Sequence, residues 1–204
     1  EGYLAYWDAL RKQHPNMLID SCASGGRRND IETLRRSVPL LRSDFLIEPT
    51  SQQCHTYGIA FWYPFYGTGA GVIDAYNIRS QVCPHFTACF DMRNKDLDYN
   101  LALKLINQWK TELAPNYVGD YYPLTAYSLE KNVWMAWQWN RPKEGKGALQ
   151  VFRRDNAEQD SITLKLRGLN PIANYAIKDL DAGSLGKFTG KELMEKGLTV
   201  TLKS

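Results

Sequence analysis

The run Leu18-Ile19-Asp20-Ser21-Cys22-Ala23-Ser24-Gly25-Gly26-Arg27-Arg28-Asn29-Asp30 constrains the fold of this chain more than any other segment. An apolar stretch ends in a small-residue turn and opens into a helix-forming stretch. Leu40-Leu41-Arg42-Ser43-Asp44 follows at close range, a second apolar stretch that ends in an acid. Strand, turn, helix, strand is the order of parallel α/β folds. In (β/α) barrels, acids and small residues at the carboxyl ends of successive strands build the active site.

The flanking segments extend this pattern. Leu4, Trp7 and Leu10 fall at helical spacing over residues 1–14, and Pro15 stops the helix. Asn16 to Ser21 reads as a buried parallel strand. Asp30 caps a helix reaching about Ser37, with Leu34 on its inner face. Pro39 to Phe45 is the next strand. Ile59 to Tyr63 and Phe86 to Phe90 are further strand candidates. Gly67-Thr68-Gly69-Ala70-Gly71 reads as a flexible turn, without the Lys-Ser/Thr ending of a phosphate loop. Asp96 caps a long helix whose stripe is Leu97, Leu101, Leu105, Trp109 and Leu113, ended by Pro115.

The period then changes. Val133, Met135, Trp137 and Trp139 alternate with their neighbours, as do Ile162, Leu164 and Leu166, and Leu198, Val200 and Leu202. Period two with glycine- and asparagine-rich turns predicts half-buried antiparallel strands in a small β-sandwich. The expected class is therefore α/β plus all-β, with residues 1–117 forming the first unit and residues 118–204 the second.

A formal net charge of +3 over 204 residues is too small to argue for a nucleic-acid partner. No apolar stretch is long enough to span a membrane as a helix. Cys22, Cys54, Cys83 and Cys89 lack zinc spacing, no His/Asp/Glu cluster has metal-ligand spacing, and no cofactor is expected. The cellular compartment stays open. The aromatic run Phe61-Trp62-Tyr63-Pro64-Phe65-Tyr66 suits either core packing or stacking on sugar rings.

Asp44, at the end of its apolar segment, can act as a general acid or base, a nucleophile or a metal ligand, or else as a loop acid beside Arg42. Cys22 can be a thiol contact or a nucleophile, with glycines behind it that permit close backbone approach. Asp20 and Asp30 read as structural, a strand end and a helix cap. Asp74 and Asp91 lie near later strand ends.

Cys22-Ala23-Ser24-Gly25-Gly26, then Arg28 and Asp30, then Ser43-Asp44, resembles the second catalytic segment of glycoside hydrolase family 36, the α-galactosidases and their relatives. Tyr57-Gly58, Tyr63-Pro64, Gly119 to Thr125, Trp137-Gln138 and Arg141-Pro142 are similar to later segments of that family. The resemblance implies the C-terminal half of a (β/α)8 TIM barrel followed by the terminal sandwich. It implies a retaining double displacement with two aspartates, in which Asp44 matches the acid/base. Cys22 and Gly25 match positions that contact galactose hydroxyls, and Gly26 and Arg42 are grouped with them as substrate-binding candidates. The family nucleophile sits in a Lys-Trp-Asp-like motif on an earlier strand. Trp7-Asp8 is a poor substitute for it, lying inside the first helix. Two departures stand out: Asp20-Ser21 where the family has Glu-Asn, and Arg27 where it has glycine.

The expected partners are an α-galactoside oligosaccharide or glycoconjugate, and either a missing N-terminal barrel half or a second copy that covers the open sheet edges. The alternative is a carbohydrate-binding or assembly module without catalysis.

Overall fold

Two short parallel strands and one isolated parallel bridge order the first part of the chain, and the expected strands over residues 16–21 and 39–45 do not form as strands. The structure is a computed structural model that describes residues 2–45 and 48–203, without the side chains of Ala23 and Ser24. Asp20 bridges Val38 in parallel, with Ser21 N donating to Val38 O at 3.0 Å and Val38 N to Ile19 O at 2.9 Å. The stretch from Val38 to Arg42 adjoins strand β1 (Gly67–Ala70) through Gly67 N to Pro39 O at 2.7 Å and Arg42 N to Gly67 O at 2.9 Å. Strand β1 pairs in parallel with β2 (His85–Ala88), Gly67 opposite His85.

Helices connect these stretches. Helix α1 (Gly2–Gln13) buries no residue and is tied on by Asp8 to Arg36 at 2.7 Å. A single turn α2 (Ala23–Gly26) follows the first stretch, then α3 (Ile31–Leu34). Asp30 caps α3 as expected, accepting from Thr33 N at 2.9 Å, and the Thr33 hydrogen bonds hold its carboxyl below the usual range. Helices α4 (Pro49–Ile59) and α5 (Ala75–Gln81) flank β1. Helix α6 (Tyr99–Gln108) continues as a wider turn over Trp109–Leu113 and a tight one over Ala114–Asn116. Its cap is Asp98, not Asp96: Asp98 accepts from Leu101 N at 2.9 Å.

Further expectations are corrected. Gly67–Ala70 is a fully buried strand rather than a flexible turn. Its glycines are required by crowding: a methyl group on Gly67 would lie 2.1 Å from Leu40 O, and one on Gly69 would lie 2.6 Å from Cys89 Sγ. Neighbouring groups fill the space that β-branched side chains usually fill, so the strand carries no hydrophobic signal. Ile59 to Tyr63 is not a strand either. Ile59 ends α4, and Tyr63 donates its hydroxyl to Ser37 O at 2.9 Å.

The second part of the chain is built from small antiparallel sheets. Strands β3 (Asp120–Pro123), β4 (Trp134–Arg141) and β5 (Lys146–Arg153) form one sheet in that order. Strand β6 (Ser161–Leu164) pairs with β9 (Leu198–Thr201), and β7 (Asn174–Asp179) with β8 (Gly183–Thr189). Helix α7 (Gly190–Glu195) starts with a reciprocal cap between Thr189 and Glu192. Strand β4 is buried on both faces from Trp134 to Asn140, not half-exposed. Met135, Trp137 and Trp139 pack with Tyr117, Phe152, Trp109 and Leu113 on the helical side. On the other face Gln138 exchanges two hydrogen bonds with the Arg167 backbone, at 2.9 and 2.8 Å. Leu166, Leu193 and Leu198 form a separate core for the last strands.

Candidate functional site

The small-residue turn and the Ser43-Asp44 corner meet in space. Gly25 has φ +71°, and a methyl group on it would lie 3.0 Å from Asp44 Oδ2 and 3.6 Å from Asp44 N. Gly26 has φ +84°, and its methyl group would lie 2.0 Å from Arg42 O. Both conformations suit glycine, and both approaches need its missing side chain. The turn therefore lies directly on the end of the Asp44 segment. Asn29 Nδ2 reaches Arg42 O at 3.3 Å and Phe45 N reaches Ser43 Oγ at 3.2 Å, so the corner is held from two sides. Asp44 itself is exposed, and Cys22 is half-buried at the start of the turn. The exposed Asp44 carboxylate thus stands beside the glycine turn, open to solvent.

Arg42 does not face this opening. Only 4% exposed, it sends Nη2 to Thr56 Oγ1 at 2.8 Å and to Gln52 O and Oε1 at 3.1 Å each, and its guanidinium carbon lies 5.1 Å from the Tyr66 ring centre. Arg42 was expected to bind substrate; here helix α4 takes up its Nη2, while Nε and Nη1 are buried with no hydrogen-bond partner among the described residues. Asp20 accepts from Leu40 N at 3.1 Å and Asp74 caps α5 through Asn77 N at 2.7 Å, both structural. Asp91 pairs with Arg93 at 2.8 Å on the surface. Of the aromatic run, Tyr66 is fully buried while Phe61 and Trp62 are exposed.

Composition and spacing missed the polar residues beneath the corner. Gln52 and Gln53 are fully buried and bond in opposite directions from α4. The available signal was Glu48-Pro49, an acid followed by proline, which marks a helix start. Burial acts to raise the Glu48 carboxyl, but hydrogen bonds from Ser51 and Thr50 outweigh it and hold the group below its usual range.

Residues 134–204 match the model of the glycosyl hydrolase family 36 C-terminal domain. The whole chain is similar to family 36 enzymes beyond that domain. It is 23% identical over 209 residues to the bifunctional alpha-galactosidase/sucrose kinase AgaSK of Mediterraneibacter gnavus, covering 97% of this chain and 22% of that protein. It is 24% identical over 210 residues to alpha-galactosidase 1 of Pediococcus pentosaceus, covering 96% and 28%. Among solved structures, it matches the GH36 alpha-galactosidase AgaA of Geobacillus stearothermophilus, in complex with stachyose, with a TM-score of 0.79 at 20% identity, covering 97% of this chain and 28% of that one. The alpha-galactosidase of Lactobacillus brevis matches with a TM-score of 0.78 at 18% identity, covering 97% and 28%. The chain thus spans about a quarter of the length of the curated relatives it matches.

Proposed function

We propose that this chain supplies the acid/base half of a retaining glycosidase site of the α-galactosidase type, and that the nucleophile comes from elsewhere in the assembled enzyme. In this reading residues 1–117 are the C-terminal half of a (β/α)8 barrel and residues 118–204 its terminal sandwich. The observation that carries it is the contact between Gly25 and Asp44: an exposed carboxylate stands at the end of one parallel stretch, against the glycine turn that ends the next. Asp44 protonates the glycosidic oxygen as the nucleophile attacks. Its carboxylate then takes a proton from the water that releases the sugar. Cys22, Gly25 and Gly26 line the sugar's side of the site, and Arg42 supports it from below. The substrate class is an α-galactoside oligosaccharide or glycoconjugate.

Surface chemistry supports a missing half. Tyr6, Leu18 and Ile31 are 61%, 67% and 69% exposed around the first stretch, and α1 has no buried side chain. Such a surface suits the first half of a barrel, or a second copy of this chain, more than water.

The test uses the complete enzyme, meaning this chain joined with the half that carries the nucleophile. Asp44→Ala lowers kcat/KM for substrates with poor leaving groups by about 10²–10⁴-fold and spares kcat/KM for good ones, because only the former need a proton when the glycosyl-enzyme forms. Equal losses for both would make Asp44 structural. Sugar binding without any turnover in the assembled protein would favour a carbohydrate-binding module.

A further inference from the structure

Helix α4 is gripped from both sides by buried arginines. On one side is Arg42, two residues before Asp44. On the other is Arg154, which follows β5 in the family-matched region and is 1% exposed. Arg154 sends Nε to Gln53 Oε1 at 3.1 Å, Nη1 to Ser128 O at 2.8 Å and Glu130 O at 2.6 Å, and Nη2 to Cys54 Sγ at 3.5 Å. Among the described residues, neither arginine pairs with a carboxylate. Neutral groups hold all three nitrogens of Arg154 but only Nη2 of Arg42, whose Nε and Nη1 are buried with no hydrogen-bond partner among the described residues.

The two adjacent glutamines turn this grip into a linkage. Successive helical residues point about 100° apart, so Gln53 faces the C-terminal sheet while Gln52 faces the strands. Donor and acceptor chemistry sets both amide orientations. Gln53 must aim Oε1 at Arg154, which leaves Nε2 to donate to Tyr76 Oη and Ser80 Oγ, at 3.0 Å each. Gln52 must aim Oε1 at Arg42, where it also accepts from Thr68 Oγ1 at 3.1 Å, which leaves Nε2 to donate to Phe45 O. Gln52 therefore holds the chain on both sides of Ser43-Asp44: the Arg42 side chain before it and the Phe45 carbonyl after it.

We propose that Arg154 is a positioning residue for Asp44: the seating of the C-terminal sheet on α4 sets where the Asp44 corner lies, through Gln53, the helix and Gln52. This rests on the reading of Asp44 as the acid/base. It gives the C-terminal region a part in the reaction without any contact with substrate.

The test is made in the complete enzyme with Arg154→Met and Gln52→Glu. Gln52→Glu keeps the acceptor for Arg42 and gives that cation a counter-charge, so the fold is retained, but it removes the donor to Phe45 O. Both variants are expected to lower kcat/KM on poor-leaving-group substrates by about 10–100-fold, the loss that a misplacement of about 1 Å produces. The kcat/KM on good leaving groups stays near that of the parent. The double variant loses no more than the worse single one, since both cut one linkage. Losses that multiply, or that fall equally on both substrate types, overturn the proposal. A second readout is independent of catalysis: Arg154→Met should move the side-chain amide resonances of Gln52 as well as Gln53 in isotope-labelled protein. A Gln52 amide that does not move overturns the linkage. The Asp44→Ala comparison separately decides whether Asp44 is the acid/base.

Discussion

Gly26→Ala tests the packing that puts the turn on the Asp44 segment. Two costs are expected. The φ of +84° lies in the left-handed region, where an L side chain costs roughly 1–2 kcal/mol. The added methyl group would lie 2.0 Å from Arg42 O and 2.8 Å from Asn29 Nδ2. Arg42 O is backbone, so relief requires the turn and the segment to move apart, an overpacking cost of about 1–3 kcal/mol. The sum is about 2–5 kcal/mol, a large share of the stability of an ordinary domain. Two reference substitutions separate the costs. Gly145 has φ +60° with open space around it, so Gly145→Ala pays the conformational cost alone, about 1 kcal/mol. Gly58 lies within α4 with nothing near it, so Gly58→Ala should stabilise by about 0.5–1 kcal/mol. Urea unfolding at one protein concentration reads all three. A Gly26→Ala loss no greater than that of Gly145→Ala would mean that the turn does not press on Arg42.

Asp181 accepts from Arg79 at 2.5 and 2.8 Å across the two parts of the chain, and this pairing holds its carboxyl below the ordinary 3.8. A depressed carboxyl stabilises the fold above its unfolded pKa and loses that contribution as pH falls through the folded value, so Asp181→Asn should flatten acid destabilisation below about pH 4. Its half-exposed site limits the effect to about 0–1 kcal/mol, and an unchanged acid limb would discount the pair. Cys22→Ser in the complete enzyme should raise KM and leave kcat near the parent value, because a ground-state contact is lost; abolished turnover with a sugar adduct mapped to Cys22 would make it a nucleophile. The isolated chain should self-associate in sedimentation, and a monodisperse monomer over a wide concentration range would contradict the open-edge reading.

The parts of this fold that were legible in sequence are those where one residue type does one local job. Asp30 reads as a cap and is one, and Cys22 to Gly26 reads as a small-residue turn and forms one, with Gly25 against Asp44. The switch to antiparallel pairing after the tight turn Ala114–Asn116 was visible as a change of period. Strand β1 was not legible, because its burial comes from neighbours that fill the space above Gly67 and Gly69 rather than from its own side chains. Strand β4 looked half-exposed, because the Arg167 backbone that covers its polar face is distant in sequence. The anchoring of Arg42 was hidden for a related reason. A cation next to a candidate acid suggests a ligand contact, and only the fold reveals Gln52 and Thr56 behind it.

The most direct test of the account is the stereochemistry of azide rescue in Asp44→Ala enzyme given an α-galactoside with a good leaving group. If Asp44 is the acid/base, the β-linked glycosyl-enzyme still forms, and azide entering from the vacated side displaces it to give the α-glycosyl azide. If Asp44 is instead the nucleophile, azide attacks the bound substrate and gives the β-glycosyl azide. The account predicts the α product with faster turnover; the β product, or no rescue at all, would contradict it.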